Sequence, residues 1–163
     1  MLHYLWIQYA ITGGLWAALV HAGSFEALSN DRKAGSAAFA AVRECLEVVK
    51  RRGVAVSQYS EAAPFLTNSA LRKEIYFWLT RWMFRHDEYT KRCSAHAFGD
   101  AVEVGTFYDD LIATGRNLGV SMPAMETYAE DIKQFAATPH GATEPRLTGM
   151  AMIAAGNRRR HQT

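Results

Sequence analysis

The chain has 163 residues, 49% of them apolar and 21% charged, with a net charge of +2. That length suits one domain with a real core, and the charge is too small for a nucleic-acid-binding surface. Two cysteines, Cys45 and Cys93, make no disulfide framework, so a reducing, cytoplasmic setting is expected.

Helical spacing dominates, with no sustained alternation and no Asn-Gly or Asp-Gly hairpin, so the expected fold is all-α, multi-helical and single-domain. Leu2 to Ala22 reads as a buried core helix stopped by Gly23. No basic segment precedes it, and His3, Gln8, Thr12 and His21 interrupt it, so it fits neither a signal peptide nor a membrane span. Ser24 to Asp31 is a connection with at most one helical turn. Arg32 to Arg52 is the second helix, with Phe39, Val42, Leu46 and Val49 as its apolar stripe and Gly53 as its stop. Cys45 lies in that pattern and reads as a buried thiol.

After a connection over 54–57, Gln58 to Leu66 suggests a short helix with Pro64 late in it. Asn68 or Ser69 caps the next helix, which runs to about His86. Its apolar face is Ile75, Leu79, Trp82 and Met83, with Trp78 beside it, and the tryptophans are core by default. Asp87 to Phe98 reads as a loop with one turn. Helices over 99–118 and 124–136 follow, with Asp100 as the cap of the first and a turn at Gly119-Val120 between them. Pro139, Gly141 and Pro145 mark a linker. The domain therefore occupies 1–137, and 138–163 are a linker, a short helix over 147–155 and the basic tail Arg158-Arg159-Arg160-His161.

Several side chains invite a functional reading. Gln8 and Thr12 share one face of an otherwise apolar helix, either as a satisfied core pair or as a polar strip in a ligand pocket. Glu103, near a helix start, is either a carboxylate favoured by the dipole or a general base or substrate anchor. His96 titrates near neutral pH and is a candidate proton shuttle or a plain surface residue. His86, Asp87 and Glu88 lack helical ligand spacing, so no metal site is expected.

Three segments resemble the C-terminal helical domain of ketopantoate reductases, a fold shared with 6-phosphogluconate-dehydrogenase-like proteins. They are LWIQYAITGGLWAALVHAG (5–23), RECLEVVKRRGV (43–54) with Glu44 nine residues before Gly53, and EVGTFYDDLIATGRNLGVSMPAMETY (103–128). The family reduces a 2-keto acid with NADPH held in a separate Rossmann domain. No G-x-G-x-x-G occurs here, so the resemblance implies no cofactor in this chain, and NADPH only if a separate nucleotide-binding subunit partners it.

In the register set by Trp6, the family's proton-donating lysine falls on Gln8, and its two asparagines on Thr12 and Trp16. A serine falls on Lys91, a further asparagine on Tyr108 and the substrate-holding glutamate on Glu103. Gln8 supplies no proton near neutral pH, and Trp16 makes the implied pocket more apolar. The resemblance thus implies a repurposed domain binding a fairly apolar metabolite, a non-redox enzyme of isomerase or cyclase type. In it Glu103 and His96 would be catalytic, and Gln8, Tyr9, Thr12, Trp16 and Tyr108 would contact substrate. The alternatives are the substrate half of a split reductase and a dimerisation module. A homodimer is expected, with neither nucleic acid nor membrane as partner.

Overall fold

The computed structural model describes residues 2–86 and 98–138. Among them there is no strand, and the fold is all-α. The helices are α1 (Leu2–Ala22), α2 (Phe25–Asn30), α3 (Arg32–Arg51), α4 (Ala63–Leu66), α5 (Ala70–His86), α6 (Ala101–Asn117), α7 (Pro123–Glu126) and α8 (Ala129–Ala136). The expected linker, the helix over 147–155, the basic tail and most of the loop after His86 lie outside the described residues.

Short polar side chains set the boundaries. Ser24 Oγ accepts from Ala27 N at 3.0 Å, and Asp31 Oδ1 accepts from Lys33 N at 2.7 Å. Two caps seven residues apart turn the expected connection over 24–31 into a helix of its own. Ser69 Oγ accepts from Arg72 N, and Asp100 Oδ1 from Glu103 N at 2.9 Å. α1 and α3 stop at Gly23 and Gly53, both at positive φ.

Two expected helices break up. The segment expected as one helix over 58–66 becomes 3₁₀ turns at Val56–Gln58 and Ser60–Ala62 followed by α4, with Pro64 opening α4 rather than lying late in a longer helix. The helix expected over 124–136 divides into α7 and α8. The Met125 carbonyl accepts from the Tyr108 hydroxyl at 3.0 Å and from Tyr128 N at 3.0 Å. Thr127 Oγ1 takes the Ala124 carbonyl at 2.6 Å. These carbonyls are engaged outside an α-helical ladder, and the chain turns there.

α1 is the centre of the domain. It packs most extensively on α3 and also touches α2, α6 and α8. Its buried positions are Ile7, Ala10, Gly13, Gly14, Ala17, Ala18 and Leu19, small residues for the most part. A Cβ at Gly14 would sit 2.8 Å from Val42 Cα of α3, and one at Gly13 would collide with the Leu111 side chain of α6. Backbone therefore approaches backbone at Gly14. The α3 stripe meets this face through Val42, Leu46 and Val49, all buried with Cys45, while Phe39 is only half-buried.

One expectation is reversed. The apolar face of α5 does not enter the core: Leu71 is 71% exposed, Trp78 62% and Trp82 52%, with Ile75 and Leu79 also exposed. α5 leans on α2 and α4 through its other side, and Gly35 of α3 abuts the Phe77 ring. Periodicity identifies an apolar stripe but not what faces it.

The Gly14 contact is with main chain, which cannot rotate away. Gly14→Ala is expected to lower unfolding stability by about 1–3 kcal/mol, measured by urea denaturation. The same change at exposed Gly99, where a Cβ would meet nothing, serves as the control.

Candidate functional site

The α1–α6 seam gathers part of the sequence-derived set. The Tyr9 ring stacks on Phe107 at 4.2 Å between centroids, and Trp16 lies against the same ring at 5.2 Å. The Tyr9 hydroxyl donates to Asp110 Oδ2 at 3.0 Å. Burial, then that hydrogen bond and the aspartate charge, push the phenol of Tyr9 well above its ordinary range. Trp6 meets Tyr9 edge-on at 6.0 Å and carries the Arg52 guanidinium 4.1 Å above its ring. The crevice between Trp6, Tyr9, Arg52 and Asp110 has a volume of about 10 Å³, room for at most one water.

Gln8 and Thr12 are half-buried on α1, and Thr12 lies between Tyr9 and Trp16 along that helix. Glu103 is half-buried one turn before Phe107 on α6. His96 and Lys91 lie outside the described residues. Tyr108 does not join this group. It is 6% exposed and its hydroxyl is committed to the Met125 carbonyl, so it serves the α6–α7 junction. Burial, then Asp109 and Glu126, push its phenol up to about 12.

Glu44, from the second resembling segment, has a structural task that spacing does not show. Its Oε1 accepts from Ala124 N and its Oε2 from Met125 N, both at 2.9 Å. One carboxylate thus caps α7 across eighty residues of sequence and ties it to α3. Cys45 beside it is fully buried, and burial with the Glu44 charge pushes its thiol far up, which makes it inert.

The larger cavity lies elsewhere. A groove of about 370 Å³ runs between α3, α4 and α5. Phe39, Phe65 and Phe77 form its apolar walls, with Phe39 and Phe65 at 5.0 Å between ring centroids. Gly35 lets Phe77 lie close against α3. Around these stand Ser36, Arg32, Arg43, Lys73, Glu44 and Glu74.

Most of the groove's charges are spoken for. Arg32 pairs with Glu74, and Arg43 donates to the Leu66 carbonyl at 3.0 Å and to Asn68 Oδ1 at 2.6 Å. Glu44 holds α7. The Lys73 ammonium has no hydrogen-bond or ion-pair partner among the described residues. Neither Gln8, Thr12, Trp16, Tyr108 nor Glu103 lines this groove. Its residues were missed because they come from three elements. The one sequence signal is Gly35, a glycine inside a long helix, which implies a close neighbour.

Among the described residues no group of His, Cys, Asp and Glu is placed to hold a metal, and no helix is long and apolar enough to cross a membrane. The chain matches no known family profile, no curated protein and no solved structure.

Glu44→Ala leaves two amides of α7 uncapped and is expected to lower stability by about 2–3 kcal/mol. Glu44→Gln keeps one acceptor and should lose roughly half as much. Paired urea titrations at neutral pH distinguish the two.

Tyr108 gives a second prediction. Its neutral phenol is favoured in the fold, so its contribution is whole below the unfolded value of about 10. It is lost as pH rises from there to about 12. Alkaline loss of stability should be smaller in Tyr108→Phe than in the parent, read from denaturation midpoints across that window.

Proposed function

We propose that this chain is a small-molecule-binding helical domain whose ligand is an organic anion with a flat or apolar body. The observation that carries the reading is the groove between α3, α4 and α5. Its volume of about 370 Å³ falls in the range of small-ligand sites. Phenylalanine walls reward an apolar body by burial, and the Lys73 ammonium offers a counter-charge at the same place. Ser36 adds a hydroxyl that donates or accepts.

A second reading rests on the α1–α6 seam. The three segments that resemble ketopantoate reductases lie on one another: α1 on α3, α1 on α6, and Glu44 on the α7 amides. That packing supports a ketopantoate-reductase-like domain, repurposed because Gln8 stands where the family has a lysine. In this reading Tyr9, Trp16 and Phe107 part from their stack to admit an apolar metabolite, since the crevice beside them holds at most one water; Gln8 and Thr12 orient it, and Glu103 takes and returns a proton in an isomerisation or cyclisation. His96 is the second proton carrier proposed there, and a separate Rossmann subunit is needed only if the reaction is a reduction.

Calorimetric titration with 2-naphthoate and with its uncharged amide tests the groove. The carboxylate is expected to bind saturably, and the amide about tenfold more weakly. Lys73→Met should erase the difference, and Ala40→Trp, which fills the groove, should abolish both. No saturable binding, or binding indifferent to both substitutions, rejects the groove. Loss on Gln8→Ala or Glu103→Gln, with Lys73→Met silent, moves the ligand to the α1–α6 seam.

A further inference from the structure

α5 carries two faces with different demands. Ala70, Lys73, Glu74 and Phe77 look into the groove. Leu71, Ile75, Trp78, Leu79 and Trp82 are exposed, and by helical phase they point to another side. From their exposures, these five present roughly 500 Å² of apolar side-chain surface, a patch of the size that marks interaction sites.

The spacing within that face is specific. Leu71, Ile75, Trp78 and Trp82 follow steps of four, three and four, the alternation of a helix–helix seam. Glu74 and Arg81 flank the seam on the same side, one heptad apart. In an antiparallel pair of identical helices, Ile75 faces Trp78 of the other copy and Leu71 faces its Trp82. The same register sets Glu74 beside the opposite copy's Arg81, twice over. The face therefore pairs apolar with apolar positions and Glu74 with Arg81 when set against itself, as a two-fold interface requires.

Arg81 is half-buried. Its Nε is enclosed within the monomer without a hydrogen-bond partner among the described residues, so the outer guanidinium nitrogens are the ones a second copy can meet. Glu74 already meets Arg32, but half its side chain remains exposed, so an oxygen is available to a second cation.

We propose that the chain forms a homodimer through antiparallel pairing of α5, with the two-fold axis between Ile75 and Trp78. Two copies of the apolar face bury at most roughly 1,000 Å² before the flanking polar residues are added, the lower bound for a specific interface. The second copy covers the two exposed tryptophans and brings Glu74 to Arg81. The proposal does not depend on the ligand of the groove.

Sedimentation equilibrium of the full chain over a range of concentrations provides the test. The expected mass is twice 18.2 kDa. Trp78→Glu is expected to raise the dissociation constant by about 30-fold or more. Glu74→Arg and Arg81→Glu should each weaken the dimer, and the double reversal should restore it to within about threefold of the parent. Circular dichroism confirms that each variant keeps its helices.

A parent that stays monomeric at high concentration overturns the proposal. So does a dimer unmoved by Trp78→Glu, which would use another face, and so does a double reversal that fails to rescue. A monomer whose tryptophan fluorescence shifts on vesicles of phosphatidylserine and phosphatidylcholine, with the shift lost in Trp78→Glu, assigns the face to a membrane surface instead.

Discussion

The close approach of α1 to α3 at Gly14 is the constraint on which the rest of the domain depends. With no side chain at that position, Val42 brings its main chain against α1, and the two long helices share one line of small residues. Gly13 next to it admits Leu111, so α6 is seated by that neighbouring glycine. Such contacts oppose sliding, because a shift of one turn along α1 replaces Gly14 by Ala10, Ile11, Ala17 or Ala18, each with a Cβ. The register of α3 and of α6 relative to α1 follows.

Once α3 is fixed, its other faces acquire definite tasks. Glu44 reaches the amides of α7 and brings Met125 under Tyr108, which closes the α6–α7 junction from both ends. Gly35, Ser36 and Phe39 line the groove. One helix thus carries the packing seam, the long-range cap and a wall of the candidate ligand site. A carboxylate that reads from sequence as a possible family landmark turns out to be a fastener, and its half-buried oxygens are both occupied by backbone donors.

The legible part of the sequence was local. Gly23 and Gly53 stop helices because left-handed residues end them, and Asp100 and Ser69 cap because short acceptors reach amides two or three positions on. α1, α3 and α6 were readable to within a residue or two. The division of 124–136 was not, since it follows from the Tyr108 hydroxyl, seventeen residues away in sequence, taking the Met125 carbonyl. Tyr9 and Trp16 do come together, through Phe107, a residue that spacing alone gave no reason to single out. The groove was illegible for the same reason: its three phenylalanines belong to three helices, and only tertiary packing sets them side by side.

The α5 face marks the limit of periodicity most sharply. Its stripe of Leu71, Ile75, Trp78 and Trp82 has the strength of a core face, yet the core is complete without it, filled by α1, α3, α6 and α8. A helix with apolar residues on both sides satisfies one of them within the monomer, and here Phe77 against Gly35 is the contact it makes. The outer side is left exposed. Because Lys73 and Phe77 lie on the same helix as Trp78 and Trp82, the wall of the groove and the exposed stripe are two sides of one element, joined by a continuous backbone ladder.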